Sequence, residues 1–144
     1  LAELFRLHER RWERPVPRLA RQFLHSICVD FARRGELRLS LLKLAGRPIS
    51  VILGICSGDT EYNIKSAFDP SFHKRISPGF LHLGFEIERV FESPQSSYDL
   101  LAGGGKLTKF KERLAADTED FRSVQILRSS LLKLSYRIYD RVPG

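Results

Sequence analysis

Residues 36–68 read ELRLSLLKLAGRPISVILGICSGDTEYNIKSAF, and this stretch decides the fold. Within it, apolar residues recur at every second position over 36–45, 48–57 and 60–68. Successive side chains of a strand point to opposite faces, so a period of two predicts three strands. Glycine-containing turns, Gly46-Arg47 and Gly58-Asp59, separate the runs, and such short turns join antiparallel neighbours. The stretch therefore predicts an antiparallel meander.

Helical patterns flank the meander on both sides. The apolar periodicity of the rest of the chain predicts, in order, helices over 1–12 and 16–34, then a helix over 80–92, a strand over 97–101, a helix over 107–116, a strand over 121–127 and a helix over 131–142. A helical crossover joins parallel strands, whereas a hairpin joins antiparallel ones. This order predicts an α/β fold with a mixed, mostly antiparallel sheet flanked by helices, and 144 residues are enough for one domain over 1–144.

The chain is basic, with a formal net charge of +7 and a pI near 9.8. Such a charge suits nucleic acid, an anionic membrane surface, coenzyme A or a tRNA, although scattered basic residues favour a solvated surface. No apolar run reaches membrane-spanning length and no signal peptide is visible, so we expect a cytoplasmic protein. Because the chain begins at Leu1 and contains no Met, we expect the C-terminal part of a longer tandem protein whose N-terminal remainder packs on it.

The cysteines and histidines do not form a recognisable metal or redox motif. Cys28 and Cys56 lie in apolar patterns and fit no C-x-x-C spacing, so we expect buried free thiols. The four histidines lack the spacing of metal ligands, which predicts no metal site.

Two loops have the composition of anion-binding turns. The first is Ile76-Ser77-Pro78-Gly79-Phe80-Leu81, and the second covers 98–105, YDLLAGGG, and runs on towards Lys106 and Lys111. Turns that feed a helix N-terminus expose backbone N–H groups and the positive end of a dipole, which suits a phosphate or a carboxylate. Neither loop is a Walker or Rossmann fingerprint.

Three titratable side chains are candidates for acid–base chemistry. Asp99 is a candidate general base, or else a turn residue that accepts N–H groups of its own loop. His82 and Glu86 share a helix face and are candidates for a proton relay, with exposed polar residues opposite an apolar stripe as the alternative. In the second loop, glycine N–H groups and nearby lysines are candidates for substrate binding, with a plain connector as the alternative. These substrate candidates are Gly103, Gly104, Lys106, Phe110 and Lys111.

Several short motifs, in this order, resemble the GNAT acyltransferase fold. They are LHERRW (7–12), LAGRPI (44–49), FDP (68–70), SPGFL (77–81) and YDLLAG (98–103), the last followed by FK (110–111). The branch that they resemble is the GNAT-like acetyltransferase domain of proteins linked to bacterial cellulose and exopolysaccharide synthesis, which is related to the Fem-type peptidyltransferases. The resemblance spans residues 1–121.

The resemblance implies transfer of an acyl group, such as acetyl, from acyl-coenzyme A to an amine or hydroxyl. In GNAT folds the strand before the turn splays from its neighbour, free backbone groups there hold the pantetheine, and the turn holds the pyrophosphate. By this resemblance two residues near the splay and five in the turn bind the cofactor. They are Phe68, Asp69, Ser77, Pro78, Gly79, Phe80 and Leu81.

The chain departs from the family pattern at two points. The usual GNAT turn has Arg or Gln followed by two spaced glycines, whereas Gly79 is the one glycine here. Phe110 stands where the family has a tyrosine before its lysine. Two alternatives therefore stay open beside a coenzyme A-dependent enzyme: a Fem-like transferase that uses aminoacyl-tRNA, and a non-catalytic interaction module.

Overall fold

The computed structural model describes residues 1–101, 111, 113–118 and 128–129. Within these ranges it contains three helices and four strands: α1 (Ala2–Trp12), α2 (Arg18–Arg33), β1 (Leu37–Leu44), β2 (Arg47–Ser57), β3 (Thr60–Phe68), α3 (Pro78–Phe91) and β4 (Ser97–Asp99). Every element predicted up to residue 101 is present, with ends that differ by a few residues. The predicted strand over 121–127 and the predicted helix over 131–142 lie outside the described residues. Of the predicted helix over 107–116, residues 111 and 113–116 are described, and residues 113–116 form a turn and irregular backbone, so the prediction of a helix there is wrong.

The sheet has the order β1-β2-β3-β4, in which the first three strands are antiparallel and β4 runs parallel to β3. The predicted meander and the mixed, mostly antiparallel sheet are thus confirmed. The hairpin between β1 and β2 turns at Ala45 and Gly46, both with positive φ, as a type I′ turn requires. The crossover from β3 to β4 contains α3, which lets two parallel strands be neighbours.

Helices α1 and α2 pack on one face of the sheet and form the main apolar core. Its buried members come from both helices and from the strands beneath them: Leu4, Leu7, Leu24, Cys28, Val51, Leu53 and Ala67. Cys28 and Cys56 are both buried free thiols, as predicted. None of the described helices is long and apolar enough to cross a membrane.

Helix α3 packs on the opposite face, with a side that carries the polar residues His82 and Glu86 beside the apolar Leu83 and Val90. His82 bonds to Ser50, which neighbours the core residue Val51 and so points to the other face. The apolar stripe was expected to be buried and the polar side exposed. Leu83 of the stripe is buried, but His82 and Glu86 are buried as well, and Phe91 is largely exposed. The prediction that these two polar residues are solvated is therefore wrong, because this face of the sheet offers polar partners.

Candidate functional site

The parallel strands β3 and β4 separate soon after they meet. Their pairing covers three rungs and ends at Tyr62 opposite Asp99, whereas β3 continues to Phe68. Beyond Tyr62, no described strand pairs with the outer edge of β3. We call the space beside residues 63–68 of β3 and beyond Asp99 the β3–β4 opening. Backbone groups on this edge that have no partner strand among the described residues can pair with an extended ligand, as on any strand edge.

Asp99 lies at the mouth of the β3–β4 opening and is part of a tight turn. Its Oδ1 accepts a hydrogen bond from the backbone N–H of Leu101 at 2.6 Å, and Leu101 has a positive φ of 57°. This is the turn contact that the sequence offered as the alternative to a general base. The contact holds the carboxylate at the mouth of the β3–β4 opening, and the role of Asp99 as a general base stays a prediction.

Lys111 fixes the chain that follows Asp99. Its Nζ donates to the carbonyl oxygens of Leu100 at 2.6 Å and Leu101 at 2.8 Å. Burial lowers the pKa of Lys111, and the nearby charge of Asp99 opposes that shift. The ammonium thus holds the turn, and its predicted contact with a substrate phosphate stays a prediction. The other substrate candidates, Gly103, Gly104, Lys106 and Phe110, lie outside the described residues.

The first turn of α3 has fewer available N–H groups than the sequence predicted. Ser77 caps the helix, because its Oγ accepts from the N–H of Phe80 at 3.3 Å. The N–H of Leu81 donates to the carbonyl of Ser77 at 3.1 Å, and Pro78 has no N–H. The expectation that this turn exposes its backbone N–H groups is therefore wrong for Phe80 and Leu81. Among the described residues, only Gly79 retains a first-turn N–H without a partner.

Gly79 also has a packing role that the sequence did not reveal. A Cβ at this position would lie 2.9 Å from Cε1 of Phe68 and closer still to Cδ1. The guanidinium of Arg11 also contacts this ring, at 4.1 Å from the centroid. Phe68 thereby links the end of β3 to α1 and to the start of α3. Its side chain packs within the protein, so a contact with a cofactor through this ring stays a prediction.

Asp69 is buried and its carboxylate is fully engaged. Oδ1 accepts from the N–H of Ser71 at 3.1 Å and from its hydroxyl at 2.7 Å. Oδ2 pairs with Arg10 at 3.0 Å and with Arg47 at 2.9 Å. Burial alone would raise the pKa of Asp69, but these hydrogen bonds and charges outweigh it and lower the pKa. The contacts favour a structural role for this carboxylate over direct cofactor binding.

His82 is held from both sides beneath α3. Its Nδ1 lies 3.0 Å from Oγ of Ser50, and its Nε2 lies 3.0 Å from Oγ of Ser40 and 3.6 Å from Glu86. Burial lowers the pKa of His82 although Glu86 opposes the shift, so the ring is neutral at pH 7. Because both ring nitrogens have partners and the site is closed to solvent, the contacts favour a structural role over a relay to substrate.

An ion-pair cluster that the sequence analysis missed extends from Glu86 to the paired rungs of β3 and β4. Arg89 donates to Glu86 at 2.8 Å and, through the same Nη2, to both oxygens of Glu61 at 2.6 and 2.7 Å. Glu61 is fully buried and stands opposite Tyr98 on β4. The available signals in the sequence were Glu86 and Arg89, three positions apart on a helix, and a glutamate within a strand. Nothing in the sequence links Arg89 to Glu61, 28 positions earlier.

No three metal-ligating side chains cluster within the part of the chain that the structure describes. A scan against protein-family models matches residues 1–112 to the acetyltransferase (GNAT) domain. The chain belongs to the GNAT family. The match runs from α1 through the β3–β4 opening to Lys111, so it covers all the features described above. No curated protein and no solved structure was found to match the chain.

Membership of the GNAT family supports a general acyltransferase role and agrees with the observed α/β architecture. GNAT domains typically use acyl-coenzyme A as the donor. The relationship to the cellulose-linked branch and to the Fem-type enzymes stays a prediction, as do the acceptor and the individual site residues.

Proposed function

We propose that this GNAT domain transfers an acyl group, in the first instance acetyl, from acyl-coenzyme A to an amine or hydroxyl acceptor, with polysaccharide or envelope synthesis as the setting. The observation that carries the proposal is the β3–β4 opening. A parallel strand pair that separates after three rungs leaves the outer edge of residues 63–68 without a partner strand in the part of the chain that the structure describes. An extended chain that contains amide groups, as pantetheine does, can pair with such an edge.

The start of α3 provides the second element of the proposed donor site. The N–H of Gly79 and the positive end of the helix dipole suit a phosphate group, and α3 has 14 residues, which is long enough for a substantial dipole. Bound acyl-coenzyme A would supply the thioester that is the acylating agent. The protein's own contribution is to hold the donor along β3, to position the acceptor near Asp99 and to remove the acceptor's proton.

Hydrogen exchange tests where the donor binds. With acetyl-coenzyme A present, we expect slower amide exchange over residues 63–68 of β3 and around Gly79. The matched control is β1 (Leu37–Leu44), which also has one edge without a described partner and contacts neither feature. Equal or no protection in the two strands at millimolar ligand would rule out the β3–β4 opening as the donor site.

Two substitutions at Asp99 separate its role as a base from its role in the turn. Asn keeps an Oδ1 that can accept the N–H of Leu101, whereas Ala loses it. If Asp99 is the general base, Asp99→Asn lowers the rate of thiol release from acetyl-coenzyme A with a panel of amines and amino sugars by roughly 10²–10⁴-fold, with donor affinity unchanged. An Asn variant that is fully active beside an impaired Ala variant would assign Asp99 to the turn alone.

A non-catalytic interaction module is the second candidate, and specific contacts favour it. Ser77 already occupies one N–H of the α3 N-terminus, and Asp99 already accepts a backbone N–H. A module of this kind does not use the donor, so this candidate predicts no protection of β3 by acetyl-coenzyme A and no release of its thiol.

A Fem-like transferase instead predicts strongly salt-dependent binding of aminoacyl-tRNA, in keeping with the net charge of +7.

A further inference from the structure

We infer that Arg10 and Arg47 form a binding site for a phosphate monoester at the end of β3. Arg10 lies on α1 and Arg47 at the start of β2, and the sequence gives no reason to associate them. The fold brings both guanidinium groups to a single oxygen, Oδ2 of Asp69. Because both ion pairs end on the same atom, the two guanidinium groups lie side by side.

Asp69 holds Arg10 and Arg47 in place but does not neutralise both of their charges. Its Oδ1 is occupied by Ser71, so Oδ2 alone faces two positive charges. Arg10 is further restrained by a hydrogen bond to Ser71 Oγ at 3.1 Å. One buried carboxylate against two guanidinium groups leaves a net positive charge, and a buried anchor reduces the side-chain entropy that ligand binding would otherwise cost.

Both arginines retain exposed N–H groups for a ligand. The side chains of Arg10 and Arg47 are 38% and 60% exposed, and Arg47 uses only Nη2 in its described contacts. The guanidinium of Arg11, the next residue of α1, lies over the ring of Phe68, the residue before Asp69. Guanidinium groups present planar sets of donors that suit the several oxygen atoms of a phosphate. A doubly charged monoester suits such a cluster better than a single carboxylate does.

The site adjoins the proposed donor site, because Asp69 directly follows the last residue of β3 and precedes the loop that leads to α3. Two sources of a phosphate monoester are therefore relevant. One is the 3′-phosphate of coenzyme A, and this source rests on the proposed function. The other is a phosphorylated sugar acceptor, which requires no coenzyme A.

Calorimetric titration of the full chain with coenzyme A, dephospho-coenzyme A and glucose 6-phosphate tests the inference. The variant is Arg47→Ala, which leaves Asp69 paired with Arg10 and Ser71. The matched control is Arg34→Ala, because Arg34 is 54% exposed and pairs with Glu36 at 2.8 Å, much as Arg47 does with Asp69. Thermal unfolding of both variants verifies the fold, and Arg10→Ala serves as a second variant of the pair.

We expect Arg47→Ala to weaken binding of a monoester by at least about tenfold, since hydrogen bonds between charged groups are the strong ones. If the donor is the source, coenzyme A loses affinity and dephospho-coenzyme A does not; if the acceptor is the source, glucose 6-phosphate alone loses affinity. Equal affinities of the Arg47→Ala and Arg34→Ala variants for every monoester, or no monoester binding at millimolar concentration, would overturn the inference. If coenzyme A binds equally well with and without Arg47, the proposed function stands. If glucose 6-phosphate binds through Arg47 but coenzyme A does not bind at all, the phosphate site stands and the proposed function is wrong.

Discussion

Replacement of Arg89 by methionine should destabilise the protein through the carboxylate that it leaves behind. Arg89 donates to both oxygens of Glu61, which is fully buried, and also to Glu86. Methionine keeps much of the side-chain volume but removes the charge and every donor. Of the described partners of Glu61, Arg38, whose Nε lies 3.9 Å away, and Cys56, a weak donor, then remain.

The size of the effect follows from the burial of the two partners. Removal of one member of a buried ion pair typically costs about 3–5 kcal/mol, because the other charge stays desolvated. Since the Arg89 side chain is 39% exposed and Arg38 remains nearby, we reduce this to about 2–3 kcal/mol. For a chain of this size that corresponds to a fall of about 6–12 °C in Tm.

Urea denaturation of a double-mutant cycle measures the effect. Arg89→Met alone should be less stable than Arg89→Met combined with Glu61→Gln by at least about 1 kcal/mol, because the second change removes the charge of Glu61, the more deeply buried of the two carboxylates that Arg89 pairs with. The control is Arg34→Met, which breaks an exposed pair with Glu36 and should change the free energy of unfolding by less than about 0.5 kcal/mol. The reasoning fails if Arg89→Met matches that control, or if the double variant is no more stable than the single one.

Three further predictions concern packing and pH. Gly79→Ala should destabilise by about 1–3 kcal/mol, because its Cβ would overlap the ring of Phe68; a melting curve equal to that of the unmodified chain would contradict this. Gly84→Ala, in the same helix with open space around it, should instead stabilise by up to about 1 kcal/mol in the same assay. Burial holds the pKa of His82 below its value in the unfolded chain, so in acid the unfolded chain binds more protons than the folded one. The contribution of His82 to the free energy of unfolding is therefore fully present above about pH 6.5 and falls as the pH drops below it. Denaturation at about pH 7.5 and at about pH 5.5 should show that the free energy of unfolding drops less between these pH values for His82→Gln than for the unmodified chain. An equal drop in the two proteins would exclude His82 as a source of the pH dependence.

Much of the fold was accessible from the sequence, whereas little of the candidate site was. The loops at Ser77–Gly79 and at Asp99 were identified because glycine, proline, serine and aspartate act on their own backbone neighbourhood. What those residues bind was less accessible, since Ser77 turned out to cap its own helix and Asp99 its own turn. Glu61, which carries the buried charge, was missed because its partner is far away in the chain.

The sequence by itself determined the three-stranded meander, the helices before it and the helix after it. These elements depend on side-chain periodicity and on turn residues, which act over a few positions. The parallel addition of β4 was implied by a helical crossover, because such a connection returns the chain in the same direction.

Only the tertiary structure decided which side of α3 is buried, where β3 and β4 separate, and that Arg10 and Arg47 meet at Asp69. The periodicity of α3 distinguishes an apolar from a polar side, but it does not reveal which side chains of the sheet each side will contact. Here Ser40 and Ser50 of the sheet form hydrogen bonds with His82, and Arg89 of the same helix bridges Glu86 to the buried Glu61 of β3, so polar groups that would otherwise be desolvated without partners are paired. Such a choice depends on pairs of residues far apart in the chain, and so no local pattern contains it.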